Sequence, residues 1–399
     1  MNLKKIIVKS TNFLLILFVL FTVLPVKLNY SSITIILLTA LSIINLITFK
    51  NKIFKPVRYF YLFISIPFVI YALGLINTSN TSYGLGFLSK NLSFLAFPLI
   101  FFSLGKYINQ VKLYKSFLLG LSLTNLYLVY LFFYNFNFGS KFYMIVTLDV
   151  YHSTYLGMYN LLAFWICFDF FIKKSKKTFL FLAVFFLISA ILTSARIIFI
   201  LSILSLGASI ILIIKSNAKR AIALLFTSLI GITLLVTIPA LKQKFNQLLK
   251  VEEIGFDRNN YQSISSRFGK IEATLEVLKN NFWLGTGTGD VKDELVKEYK
   301  KMNFVMGHKY RYNSHNQFLE NLARNGLIGG SIALFTIYFL PMYISIRQKN
   351  MLLAAFIFII SGVSLTESIL DVHKGITFYV FFVTLMLNSI IQDKLPHHS

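Results

Sequence analysis

The sequence predicts an all-α polytopic membrane protein, and three observations carry that expectation. Hydrophobic residues make up 56% of the 399-residue chain and charged residues only 14%, against about a quarter charged in an ordinary soluble domain. Apolar stretches of about 20 residues, the length a helix needs to cross a bilayer, recur along most of the chain. Positive residues fall in clusters between those stretches. The shorter alternating segments of a membrane β-barrel do not stand out.

Twelve candidate spans follow in order, at 11–30, 31–49, 58–76, 88–105, 114–135, 152–172, 178–195, 196–214, 221–240, 325–346, 351–370 and 375–391. Pro25 and Lys27 interrupt the first, which makes it the weakest. The opening Met-Asn-Leu-Lys-Lys before an apolar run is similar to a secretory signal. No small-x-small cleavage site follows, so an uncleaved first helix is expected. Spans seven and eight abut, so Ser194-Ala195-Arg196 is expected to turn tightly between them.

Alternate connections hold the positive charge: Lys4, Lys5 and Lys9; Lys50, Lys52, Lys55 and Arg58; Lys106, Lys112 and Lys115; Lys173, Lys174, Lys176 and Lys177; Lys215, Lys219 and Arg220; Arg347 and Lys349. The intervening short connections hold little beyond Lys27, Lys141, Arg196 and Lys374. The positive-inside rule then places both termini and the basic connections in the cytoplasm.

One connection is much longer, so the chain divides into spans one to nine over 1–240, a loop domain over 241–324, and spans ten to twelve with a short tail over 325–399. The loop domain holds 10 of the 15 acidic and 14 of the 39 basic residues, a mixture expected of a small folded unit outside the cytoplasm. Phe268, Ile271, Leu275 and Leu278 recur at helical spacing after Arg267. Asp290 and Asp293 mark the start of a second helix, with Val291, Leu295 and Tyr299 along one face. The net charge of +24 does not signal nucleic acid, because no zinc-finger spacing or basic recognition helix accompanies it. Cys167 lies alone inside a span, which excludes disulfides.

Within "NSHNQFLENLARNGLIGG" (313–330), Ser314 and Gln317 have the spacing of a capping box, which predicts His315 at the first helical position. The helix dipole there favours a neutral imidazole, able to accept a proton from a sugar hydroxyl, and also attracts phosphate. The plainer alternative is a polar residue at a membrane-surface helix end. Arg196 and Arg267 lie on the same side of the predicted membrane and could together clamp a diphosphate through paired donors, although snorkelling and solvation also account for them singly. His152, Asn316 and Glu367 are secondary candidates for the same cavity; Glu367 and Asp371 are costly in lipid and are expected to face a cavity or pair with Lys374. "GTGTGD" (285–290) follows no strand and lacks a Lys-Ser/Thr pair, so it reads as a turn between helices rather than a phosphate cradle. His308 and His315 match no common zinc spacing, and His397 and His398 belong to a polar tail.

Three stretches resemble the O-antigen ligase / O-antigen polymerase superfamily of bacterial envelope glycosyltransferases. "SHNQFLENLARNGLIGG" resembles its His-Asn signature at the end of the large periplasmic loop. "SSRFGKIEATLEVLKNNFWLGTGTGD" resembles its Arg-led helix ending in a glycine turn, and "LTSARIIFILSIL" its Ser-Arg at the head of a span. The resemblance implies a GT-C-like helical bundle in the inner (cytoplasmic) membrane. Its members move a glycan from a polyprenyl (undecaprenyl) diphosphate carrier to an acceptor hydroxyl at the periplasmic face, that of lipid A core in ligases or another lipid-linked repeat in polymerases. It also implies that Arg196 and Arg267 grip the diphosphate and that His315 positions or deprotonates the acceptor. The donor arrives activated, so no cofactor or metal is implied. A flippase or other polysaccharide transporter is the remaining alternative, disfavoured because no internal repeat or matching pair of Gly/Pro-broken segments is found.

Overall fold

The computed structural model describes residues 3–26, 30–49, 55–134, 152–249 and 264–392. Among them every regular element is helical: α1 Leu3–Val23, α2 Tyr30–Phe49, α3 Lys55–Leu73, α4 Thr81–Asn91, α5 Ser93–Leu104, α6 Gln110–Tyr134, α7 Ser153–Lys174, α8 Lys177–Leu192, α9 Arg196–Ile213, α10 Asn217–Thr237, α11 Pro239–Leu249, α12 Ile264–Asn280, α13 Val291–Lys301, α14 Val305–Tyr310, α15 Gln317–Leu334, α16 Leu340–Arg347, α17 Met351–Ser364 and α18 His373–Gln392. Lys27, Lys50, Lys52 and Lys141, the loop-domain stretch 250–263 and the tail with His397 and His398 lie outside the described residues.

Nine helical stretches among the described residues are long and apolar enough to cross a membrane, with α4–α5 and α15–α16 each forming one continuous stretch. The shorter apolar helices Tyr61–Leu73, Lys177–Leu192 and Met351–Ser364 fall on the third, seventh and eleventh expected spans. The first expected span is displaced: α1 begins at Leu3 and ends at Val23, before Pro25. Lys4, Lys5 and Lys9 therefore lie on the helix rather than ahead of it. Nothing in their side chains breaks a helix, whereas proline does.

Burial separates core helices from periphery. In α18 and α7 most side chains are buried, and their aromatic residues interlock, with Phe378 against Tyr159, Phe117 and Phe382. On α10 only Thr227 and Gly231 are buried, while Ile222, Leu225, Phe226, Leu229, Ile230, Ile232 and Val236 are exposed. An exposed helix that is apolar nearly all round is suited to lipid, not water. Two polar pairs lie inside the bundle: Asn125 donates to Asn160 at 2.7 Å, and Tyr61 to Asn388 at 2.8 Å.

The tenth expected span, 325–346, is the later part of a longer helical stretch that starts at Gln317 and runs through a π-helical turn at Phe335–Phe339. This stretch breaks at Gly326, whose φ is 66°. The turn after α12 fills the break. Leu327 N donates to Phe282 O at 2.7 Å, and Thr286 N and Gly287 N donate to Ala323 O and Arg324 O, both at 3.0 Å. The kink thus exchanges intrahelical bonds for equivalent ones, which is what lets it persist in a buried setting.

The face of α12 differs from expectation. Phe268 and Leu275 are exposed, and the buried stripe is Ser266, Lys270, Ala273, Thr274 and Val277. Small side chains allow α12 to pack against α13 and α15, and the bulky residues turn outward. On α13 the expected face is buried as Val291, Leu295 and Tyr299.

Candidate active site

His315 is not the first residue of a helix. The helix begins at Gln317 and its cap is Asn316, whose side-chain oxygen accepts from Phe318 N at 3.0 Å and Leu319 N at 3.1 Å. Asparagine in extended geometry is among the best caps, and here it displaces the Ser314–Gln317 box. The Ser314 hydroxyl donates instead to Asn316 O at 2.8 Å, and the Gln317 side-chain oxygen accepts from Leu370 N at 2.7 Å. His315 therefore sits just ahead of the cap with φ 49°, a left-handed conformation that histidine adopts more readily than most residues but at some strain.

That conformation aims the imidazole at Glu367, which follows α17: His315 Nδ1 lies 3.1 Å from Glu367 Oε2. The side chain of His315 is 31% exposed and that of Glu367 only 17%. The other carboxylate oxygen, Oε1, lies 3.9 Å from Arg267 Nη2. Burial pushes the Glu367 carboxyl up, but the His315 hydrogen bond and the electrostatic pull of His315, His152 and Arg267 outweigh it and lower the group from its ordinary value. His152, just ahead of α7, is exposed and packs its ring edge-to-face with Tyr155. Arg196 is the first residue of α9, the tight turn being Thr193–Ala195, and it lies within electrostatic reach of Arg267. The two arginines, His315, Glu367 and His152 thus gather at one end of the bundle from five separate segments.

A sixth group joins them. Lys270, one turn beyond Arg267 on α12, is only 7% exposed, and its ammonium lies 4.1 Å from the centre of the Tyr312 ring. Burial and the neighbouring Arg267 charge, against a weaker pull from Glu367, lower its pKa to about 8. Tyr312 in turn meets the His315 ring edge-to-face at 6.3 Å.

Behind the cluster lies a buried ion network. Arg324 is fully buried and grips Asp371 with two nitrogens, Nη1 to Oδ1 at 3.0 Å and Nη2 to Oδ2 at 2.6 Å. Its Nη2 also donates to Glu320 Oε1 at 3.3 Å, and its guanidinium stacks 3.9 Å from the Phe87 ring centre. The remaining Glu320 oxygen accepts from Ser314 N at 2.9 Å. Asp371, expected to face a cavity or pair with Lys374, is thus held by Arg324. The network ties the residue before His315 to the turn that carries Glu367, which sets these two side chains in register.

The glycine turn has a structural role, as its context implied. The amides of Thr286, Gly287, Thr288 and Gly289 donate to Ala323 O, Arg324 O, Gly74 O and Thr78 Oγ1, so those donors are spent on protein. Asp290 accepts from Ser79 N and Asn80 N, both at 2.7 Å, which clamps the turn to the α3–α4 connection. Asn316 is likewise occupied, its amide capping α15 and donating to Leu365 O at 3.3 Å. Sequence reasoning missed Lys270, Glu320 and Arg324. Charged side chains on helices read as solvated, and Arg324 and Asp371 are too far apart in sequence to suggest a pair.

Fold and site together define a helical membrane protein with a cation-rich cluster around a histidine–carboxylate pair. Residues 181–334 match the family model described as O-antigen ligase, and this segment supports the O-antigen ligase superfamily expected from the motifs. The matched stretch contains Arg196, Arg267, Lys270 and His315 but neither His152 nor Glu367. An uncharacterized protein of Haemophilus influenzae (strain ATCC 51907 / DSM 11121 / KW20 / Rd) is 30% identical over 138 residues, 34% of this chain and 34% of that protein. The aligned part thus spans about a third of that relative's length.

Proposed function

We propose that this protein is a glycosyltransferase of the O-antigen ligase type, moving a glycan from a polyprenyl diphosphate carrier to an acceptor hydroxyl, that of lipid A core, at the outer face of the bacterial inner membrane. The observation that carries the reading is the His315–Glu367 pair set beside Arg267 and Arg196. With Nδ1–H donated to the carboxylate, Nε2 is the free base. It takes the proton of the acceptor hydroxyl as that oxygen attacks the anomeric carbon. The bond from that carbon to the diphosphate oxygen breaks, and polyprenyl diphosphate leaves with the electron pair. Arg196 and Arg267 meet the charge developing on the leaving phosphate, and Glu367 steadies the imidazolium.

The test is transfer from an undecaprenyl diphosphate-linked glycan by protein purified at wild-type yield. His315→Ala and Arg267→Ala should each lower the rate on the order of 10²-fold or more. Normal product from both variants would overturn the assignment.

A further inference from the structure

The strongest unexplained feature outside the histidine–carboxylate pair is Lys270. A buried ammonium is costly in a protein unless a carboxylate or several hydrogen-bond acceptors compensate it. Lys270 is 7% exposed, yet among the described residues no carboxylate lies within ion-pair distance of it, and the face of the Tyr312 ring at 4.1 Å is its close polar contact. A π face attracts a cation but does not replace an acceptor. Its charged neighbours worsen the balance. Arg267 repels it from one turn earlier on the same helix, and Glu367, which attracts it more weakly, is already engaged by His315 and Arg267. Arg267 and Lys270 thus lie one turn apart with, among the described residues, Glu367 as the carboxylate near both, and Arg196 stands within electrostatic reach of Arg267. A buried ammonium beside a guanidinium, with their shared carboxylate neighbour already engaged by His315, is suited to an anion.

We infer that Lys270 is a third cation of the donor site, placed with Arg196 and Arg267 to hold the diphosphate of the carrier lipid. The inference rests on the transferase reading above and adds a residue that the motif comparison did not single out. Lysine suits the role because its ammonium is a compact point charge on a flexible stem, able to reach an oxygen that the planar guanidinium forks leave unmet. The ammonium lies over the Tyr312 ring, and the same ring meets that of His315, so anion binding and the base share one wall. With a free-protein pKa of about 8, the ammonium is present at neutral pH and lost above it, so affinity for the anion falls as pH rises through that value.

The experiment is direct binding of undecaprenyl diphosphate to detergent-purified protein between pH 6.5 and 9.5, with inorganic pyrophosphate and phosphatidylglycerol as competitors. Wild type, Lys270→Met, Arg267→Ala and, as a surface control, Lys279→Met are compared, each with its thermal midpoint. The inference expects Lys270→Met to bind at least 10-fold more weakly at pH 7, to lose the alkaline fall in affinity, and to melt at or above the wild-type temperature, because an uncompensated buried charge has been removed. A lysine that merely braces the fold would give the opposite midpoint shift and leave affinity unchanged, and that result overturns it. Equal competition by phosphatidylglycerol also overturns it, because the site would then be for lipid headgroups. If wild type itself fails to bind undecaprenyl diphosphate, the transferase reading falls as well. If Arg267→Ala loses binding while Lys270→Met keeps it with the same pH profile, only the role of Lys270 falls.

Discussion

Glu367 determines what His315 can do, because an imidazole with one nitrogen committed to a carboxylate presents the other as a base in a single tautomer and orientation. Replacing Glu367 by Gln keeps shape and a hydrogen bond but removes the charge that stabilises the imidazolium. We expect the transfer rate to fall on the order of 10²-fold, with substrate KM changed little, since the interaction matters most after proton transfer. Single-turnover transfer by Glu367→Gln at saturating donor measures this, and an unchanged rate would dissolve the pair as a catalytic unit. The same carboxyl has a stability signature. Its folded pKa is depressed, so its contribution is complete above the unfolded carboxylate value of about 4.3 and disappears as pH falls through the lower folded value. Thermal midpoints measured on acidification should therefore drop further for wild type than for Glu367→Gln.

At the scale of elements, the site depends on how α15 begins and where it breaks. Asn316→Ala removes the oxygen that caps two amides and is expected to destabilise by about 1 kcal/mol. Gly326→Ala is more severe: φ 66° and ψ −175° are nearly exclusive to glycine, and an added Cβ would sit 2.3 Å from Trp283 O. Backbone strain alone is about 1–3 kcal/mol, and the clash adds to it, so the thermal midpoint should fall further than for Asn316→Ala. Arg324→Met leaves buried Glu320 and partly buried Asp371 without their counter-ion, a loss on the order of 3–5 kcal/mol. Arg324→Lys keeps the charge but not the two-pronged grip on Asp371. We expect it to fold and yet lower the transfer rate, because His315 and Glu367 lose their common register. A folded Arg324→Lys protein with full activity would show that the network only stabilises.

For the whole molecule, the helical class was legible because membrane spans write themselves as long apolar runs, and α10, exposed and apolar nearly all round, shows why. Glu367 was legible as a charge costly in lipid and His315, Arg196 and Arg267 through the stretches that carry the resemblance, and the fold brings them to one end of the bundle. What sequence could not reveal was pairing across long separations, as with Arg324 and Asp371, or the buried face of α12, which carries Lys270 and small side chains rather than the apolar residues whose periodicity pointed to the opposite side. The competition between Ser314 and Asn316 to cap α15 was equally hidden, since both are good caps and only the turn geometry decides. Charge placement predicts an orientation in the membrane that can be checked independently of catalysis. Lys219, in the first turn of α10, and Lys297, on α13, are both exposed, and alternation of positive charge predicts the first in the cytoplasm and the second outside. Cys167 is fully buried in α7, so it contributes little background to thiol labelling. A membrane-impermeant maleimide added to intact spheroplasts should label Lys297→Cys at once and Lys219→Cys only after permeabilisation. The reverse pattern would put the histidine–carboxylate pair on the cytoplasmic side, where a donor glycan already carried across the membrane could not reach it.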